Sequence, residues 1–110
     1  MNYKVIPTPE FIKNLKTLNK KYKNIKNDVL ELANKLEKNP KIGIDLGNST
    51  FKIRIKNSDN NKGKSAGYRI IIYCIDDKKE VFLVTIYSKS EKENLLDLEL
   101  KELIARLNSQ

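Results

Sequence analysis

The sequence predicts an α+β domain in which helices and strands occupy separate stretches of the chain. Three observations carry that prediction. Apolar residues recur every three to four positions from Phe11 to Leu36, and again from Leu96 to Leu107. Between Phe51 and Tyr87 they instead alternate or run unbroken, as strands require. The chain has 110 residues, enough for one core and not for two, so residues 1–110 are expected to form a single domain.

Residues 3–7, "YKVIP", alternate and end on Pro7, which reads as a short first strand. Thr8 is then an N-cap candidate, Pro9 suits the first helical position and Glu10 the first turn. Phe11, Leu15 and Leu18 make one apolar stripe, and "NKKYKN" interrupts it as a polar turn. Ile25, Val29, Leu32 and Leu36 make a second stripe, which stops before Pro40. The result is a helical hairpin with a lysine-studded outer surface.

"KIGIDLGNS" (41–49) reads as a loop with two glycines. Phe51, Ile53 and Ile55 then alternate with Lys52, Arg54 and Lys56, and "NSDNNKGKSAG" (57–67) is a polar connection. "YRIIIYCI" (68–75) and "EVFLVTIY" (80–87) flank the tight "DDKK" turn and form an antiparallel hairpin. Leu96, Leu100, Leu103 and Leu107 give a closing helix. The predicted order is β-α-α-β-β-β-α, with an N-terminal helical hairpin and a C-terminal helix on a small antiparallel (mixed) sheet.

Composition narrows the function. The 22 basic and 14 acidic residues leave a net charge of +8, which suits nucleic acid, an anionic membrane surface or an acidic protein. A lysine-rich surface reflecting base composition of the genome is the plainer reading of the same numbers. Histidine is absent, which excludes His-based triads and acid–base pairs and nearly all zinc enzymes. Cys74 is the one cysteine, so there is no internal disulfide and a reducing compartment fits. With neither a signal-like start nor an apolar run near 18 residues, a cytoplasmic protein without membrane contact is expected.

The period of two puts Lys52, Arg54 and Lys56 on the face opposite Phe51, Ile53 and Ile55. Arg69 joins them if it shares that face. Six basic residues (Lys52, Arg54, Lys56, Lys62, Lys64 and Arg69) and one acid, Asp59, lie between positions 52 and 69. Such crowding is repulsive without an anion, and phosphate matches both the arginine fork and the lysine point charge. An ordinary solvated sheet face, where lysine and arginine discourage aggregation, remains the alternative. "GKSAG" lacks the spacing and the strand-to-helix context of a phosphate loop. Cys74, set among isoleucines, reads as a buried small hydrophobe. Tyr73 and Tyr87 offer rings for base stacking or for packing.

"LGNSTFKIRI", "KGKSAGYRIIIY" and "VFLVTIYSKSEKENL", in this order, resemble the RelE/ParE superfamily of bacterial toxins. "FIKNLKTLNKKYKNIKNDVLEL" and "LEKNP" extend the resemblance over nearly the whole chain, nearest to the HigB-like branch of RelE-type toxins. The resemblance implies a microbial RNase-like fold and the toxin role in a type II toxin–antitoxin pair. It further implies ribosome-dependent cleavage of mRNA in the A site of the 70S ribosome, without metal or cofactor. The ribose 2′-hydroxyl attacks the adjacent phosphate, leaving a cyclic phosphate and a 5′-hydroxyl.

On the matching positions, the resemblance makes Lys52 the base candidate and Arg54 a clamp, because arginine stays protonated. Arg69 of "GYR" matches the arginine that stabilises the pentacoordinate phosphate. Lys89 and Lys92 match the basic cluster that holds phosphate or protonates the leaving oxygen. Lys56, Lys62 and Lys64 are expected to bind RNA. The chain has "NLLDL" where some relatives carry a catalytic tyrosine, so Tyr68 or Tyr87 is the candidate for its stacking role. Crowding by Arg54, Lys56 and Arg69 is expected to depress the Lys52 pKa. The partners implied are mRNA, the ribosome and a cognate antitoxin, often a small helix-turn-helix, HigA-like protein; the free toxin is expected to be a monomer. A ParE-like gyrase inhibitor and a non-catalytic RNA- or ribosome-binding module are the competing readings.

Overall fold

A computed structural model describes residues 2–60, 63, 66–90 and 97–108. Its elements in chain order are β1 (Lys4–Pro7), α1 (Pro9–Asn19), α2 (Ile25–Lys38), β2 (Ile44–Gly47), β3 (Thr50–Ile55), β4 (Tyr68–Ile75), β5 (Glu80–Ser88) and α3 (Asp97–Asn108). The expected order is present with one addition, the strand β2 inside the segment read as a loop.

Thr8 caps α1 as its sequence context predicts. Its Oγ1 accepts from the Phe11 amide at 3.1 Å and donates to the Val84 carbonyl at 3.0 Å, which also pins the helix start to β5. The apolar stripes face inward: α1 buries Phe11 and Leu18, and α2 buries Ile25, Val29, Leu32 and Leu36. They close a single core with Ile53, Ile70, Ile72, Val81 and Ile86 from one face of the sheet. Burial of a side chain of that size is worth about 1.5–3 kcal/mol. Tertiary packing therefore holds these two short helices, where propensity alone would not.

The sheet runs β1-β5-β4-β3-β2. β1 pairs parallel with β5, and the other neighbours are antiparallel. β2 and β3 join through Asn48 and Ser49, both in the left-handed region at φ 54° and 64°. A two-residue turn of that kind matches the twist of a hairpin. Asp45 Oδ1 accepts from the Gly47 amide at 2.7 Å, and Thr50 Oγ1 donates to the Gly47 carbonyl at 2.5 Å.

At the far end, Asp76 gathers three segments of the chain. Its carboxylate accepts from Tyr3 at 2.9 Å, Lys41 at 2.7 Å and the Cys74 thiol at 3.4 Å. These donors hold Asp76 down to about 2, below its ordinary 3.8. Burial, followed by the Asp76 carboxylate, pushes the Cys74 thiol up to about 11, in keeping with a packed and unreactive cysteine.

Candidate active site

Strand register decides which basic side chains meet. Arg54 on β3 stands directly opposite Arg69 on β4, and Arg69 stands opposite Tyr87 on β5. Lys52 is two positions from Arg54 and shares its face, opposite Ile71. The Lys89 amide donates to the Gly67 carbonyl at 2.9 Å, which fixes the end of β5 beside the start of β4. Four cations, from β3, β4 and the residue just after β5, thus converge at one end of the sheet.

Gly67 makes that convergence possible. A Cβ there would lie 2.0 Å from the Ile55 carbonyl oxygen, so only glycine lets the chain enter β4 this close to the end of β3. The available signal was its place immediately before a strand that had to return against the preceding one.

The cluster is not a solvated lysine face. Arg69 is 4% exposed, and one of its guanidinium nitrogens donates to the Tyr68 carbonyl at 3.3 Å. Burial lowers the Arg69 pKa, and Arg54 pushes it the same way. The Lys52 pKa is also lowered. Burial is the largest cause there, followed by the charges of Arg69, Lys89 and Arg54. The expected direction holds with a different ranking: desolvation leads, Lys89 contributes and Lys56 does not.

Other candidates are placed less favourably. Lys56 is exposed at the end of β3. Lys62, Lys64 and Lys92 lie outside the described residues. Tyr68 is wholly buried, with its ring edge-on to Tyr22 at 5.8 Å. Its expected role in stacking on RNA is therefore corrected: a ring enclosed in the core offers no face to a base. Tyr87 is 8% exposed, so its ring walls the site more than it presents a platform. A groove of about 600 Å³ between α2 and β3 takes in Lys52, Arg54 and Lys56 together with Lys35, Asp28 and Glu31. Its carboxylates belong to α2, so the part of it that suits an anion is the β3 side, where Arg54 stands opposite Arg69.

A half-buried lysine beside one buried and one exposed arginine has the donors and the charge to hold an anion such as phosphate. A family profile described as RelE toxin of the RelE/RelB toxin–antitoxin system matches residues 11–108. The chain belongs to the RelE toxin family, and is the toxin of a type II toxin–antitoxin system. The fold is similar to that of a double arginine-to-alanine variant of E. coli toxin RelE in the free state. That match has a TM-score of 0.62 at 18% identity and covers 96% of this chain and 98% of the other. The isolated E. coli RelE toxin gives a TM-score of 0.60 at 17% identity, with the same coverage of 96% and 98%. The intact E. coli RelBE toxin–antitoxin complex gives 0.57 at 17% identity, covering 76% of this chain and 93% of that one. Among the described residues, no helix is long and apolar enough to cross a membrane.

Proposed function

We propose that the protein is a ribosome-dependent endoribonuclease that cuts mRNA in the A site with Lys52 as base. The observation that carries this reading is the convergence of half-buried Lys52 with Arg54, Arg69 and Lys89. A lysine in water is almost wholly protonated at neutral pH. Desolvation and like charge raise the share of neutral amine, so Lys52 Nζ can take the proton of the ribose 2′-hydroxyl. The oxygen then forms its bond to the adjacent phosphorus.

Arg69 and Arg54 face each other across two strands and hold the non-bridging oxygens, whose negative charge grows in the transition state. The P–O5′ bond breaks as the leaving oxygen takes a proton from the Lys89 ammonium. The products are a 2′,3′-cyclic phosphate and a 5′-hydroxyl, and every proton is accounted for. Lys56, Lys62 and Lys64 bind RNA, and Lys92 shares the phosphate-holding role of Lys89. The toxin belongs to the HigB-like branch, is a monomer when free, and is restrained in the cytoplasm by a helix-turn-helix antitoxin of the HigA kind.

End-mapping of a defined mRNA, with and without translating ribosomes, tests the reading. Codon-spaced cuts that carry 5′-hydroxyl ends and need the ribosome are expected. Cuts on bare RNA would remove ribosome dependence, and no cuts from folded, antitoxin-free protein would remove the nuclease.

A further inference from the structure

Four large apolar side chains stay exposed among the described residues, and two of them meet across one groove. Ile12 on α1 is 40% exposed and Leu30 on α2 is 59% exposed. The groove, of about 530 Å³, lies between α1, α2 and β1. Its floor is the core itself, where Phe11 and Val29 are buried.

The core does not account for Leu30. Ile25, Val29, Leu32 and Leu36 form the buried stripe of α2, and Leu30 lies outside it. It belongs instead to a second stripe, Lys26–Leu30–Ala33–Glu37, whose spacings of four, three and four turn it toward the groove. Leaving a leucine this exposed forfeits most of the burial it could contribute. Ala33, the small member of the stripe, leaves the recess open.

Charge and shape select the occupant. Lys4 and Lys26 line the groove with one acid, Glu37. Residues 13–26, which run from α1 into α2 beside it, contain six lysines and no acid. A second copy of this chain carries the same net charge of +8 and is repelled. A nucleic acid uses the lysines but leaves Ile12 and Leu30 in water. A membrane takes a protruding apolar face, whereas these anchors line a recess. An added strand finds little on β1, since the Tyr3 amide already donates to the Glu37 carbonyl at 2.8 Å and Pro7 has no amide. A helix laid in the groove meets both anchors. From Lys26 to Glu37 the α2 wall runs about 16 Å, roughly three turns.

We propose that this groove receives an amphipathic helix of the cognate antitoxin, with an apolar stripe on Ile12 and Leu30 and carboxylates toward the lysines. β1 and β3 lie on opposite sides of the sheet centre, and the helices cover the face that carries Ile53, opposite Lys52 and Arg54. The contact therefore anchors the antitoxin without itself covering the phosphate cluster. It rests on the antitoxin reading of the partner and is independent of the nuclease reading.

The test titrates the full-length toxin with the antitoxin encoded beside it, comparing wild type, Leu30→Glu, the milder Leu30→Ala and Leu46→Glu, an exposed leucine on β2. Affinity is expected to fall about 10–100-fold for Leu30→Glu and less for Leu30→Ala. Leu46→Glu should bind as the wild type does. Lys16→Glu/Lys26→Glu should slow association and flatten its salt dependence. The thermal midpoint of each free variant and its affinity for vacant 70S ribosomes should stay within error for the leucine variants. Wild-type affinity in Leu30→Glu would overturn the groove while leaving the antitoxin as partner, and so would an equal loss in Leu46→Glu. A loss confined to ribosome binding would assign the surface to RNA and overturn the proposal. A wild type that ignores the antitoxin removes the partner and the proposal together, whether or not the protein cuts RNA.

Discussion

At the scale of single residues, burial makes Lys52 a better base, and burying Lys52 and Arg69 costs stability. Both keep a lowered pKa in the folded protein because burial disfavours their charge. For Lys52 the sign follows directly: the folded state binds its proton less tightly than the unfolded state. The penalty is complete below the folded pKa and disappears as pH rises through the unfolded value near 10.5. Lys52→Ala should therefore leave the thermal midpoint equal or higher at neutral pH. Tyr87 makes a parallel case, since its buried hydroxyl has no hydrogen-bond partner among the described residues. Leaving such a group unsatisfied costs about 1–3 kcal/mol. Tyr87→Phe keeps the ring and should stabilise the protein by about 1 kcal/mol in chemical denaturation, with the m-value unchanged.

At the scale of elements, the site depends on how two connections close. Gly67 lets β4 begin against the Ile55 carbonyl, and its own carbonyl holds the Lys89 amide. Gly67→Ala forces backbone apart from backbone and should cost about 1–3 kcal/mol in denaturant titration. The same change should lower cleavage more than Lys56→Ala does, because it shifts both Arg69 and Lys89. At the opposite end, Asp76 ties together Tyr3, the Lys41 segment and the end of β4. Its depressed pKa means a contribution present above 3.8 and lost as pH falls through about 2. Thermal melts from pH 5 to 2 should fall less steeply for Asp76→Asn than for the wild type.

Local patterns carried much of this architecture. The stripes of α1 and α2, the Thr8 cap and the β4–β5 hairpin all follow from spacing within one short segment. β2 did not, because its short alternation of Ile44 and Leu46 with Asp45 and Gly47 is flanked by glycine and buries neither face, so the segment looks like a loop. The parallel pairing of β1 with β5 is a relation between chain ends that no local period encodes. Tyr68 was misplaced for a different reason: "YRIIIYCI" is apolar on both sides, so the strand gives little sign of its phase. Arg69 is the one marker, and placing it beside Arg54 already turns Tyr68 toward the core.

At the scale of the whole molecule, ten of the 22 basic residues behind the net charge of +8 fall in two regions. One end of the sheet carries Lys52, Arg54, Arg69 and Lys89, and the neighbouring α1–α2 turn carries a second lysine surface. Residue reading found the cluster through its period of two, but not its burial, which comes from strands and segments distant in sequence. The central claim is that Lys52 acts as a base and is more than a cation. Single-turnover cleavage of ribosome-bound mRNA by Lys52→Arg, beside the wild type and Lys52→Ala, tests it most directly. Arginine keeps the charge and cannot give up its proton, so both variants should lose about 10²–10⁴-fold in rate while binding stays close to normal for arginine. A Lys52→Arg protein that cuts at the wild-type rate would contradict the account.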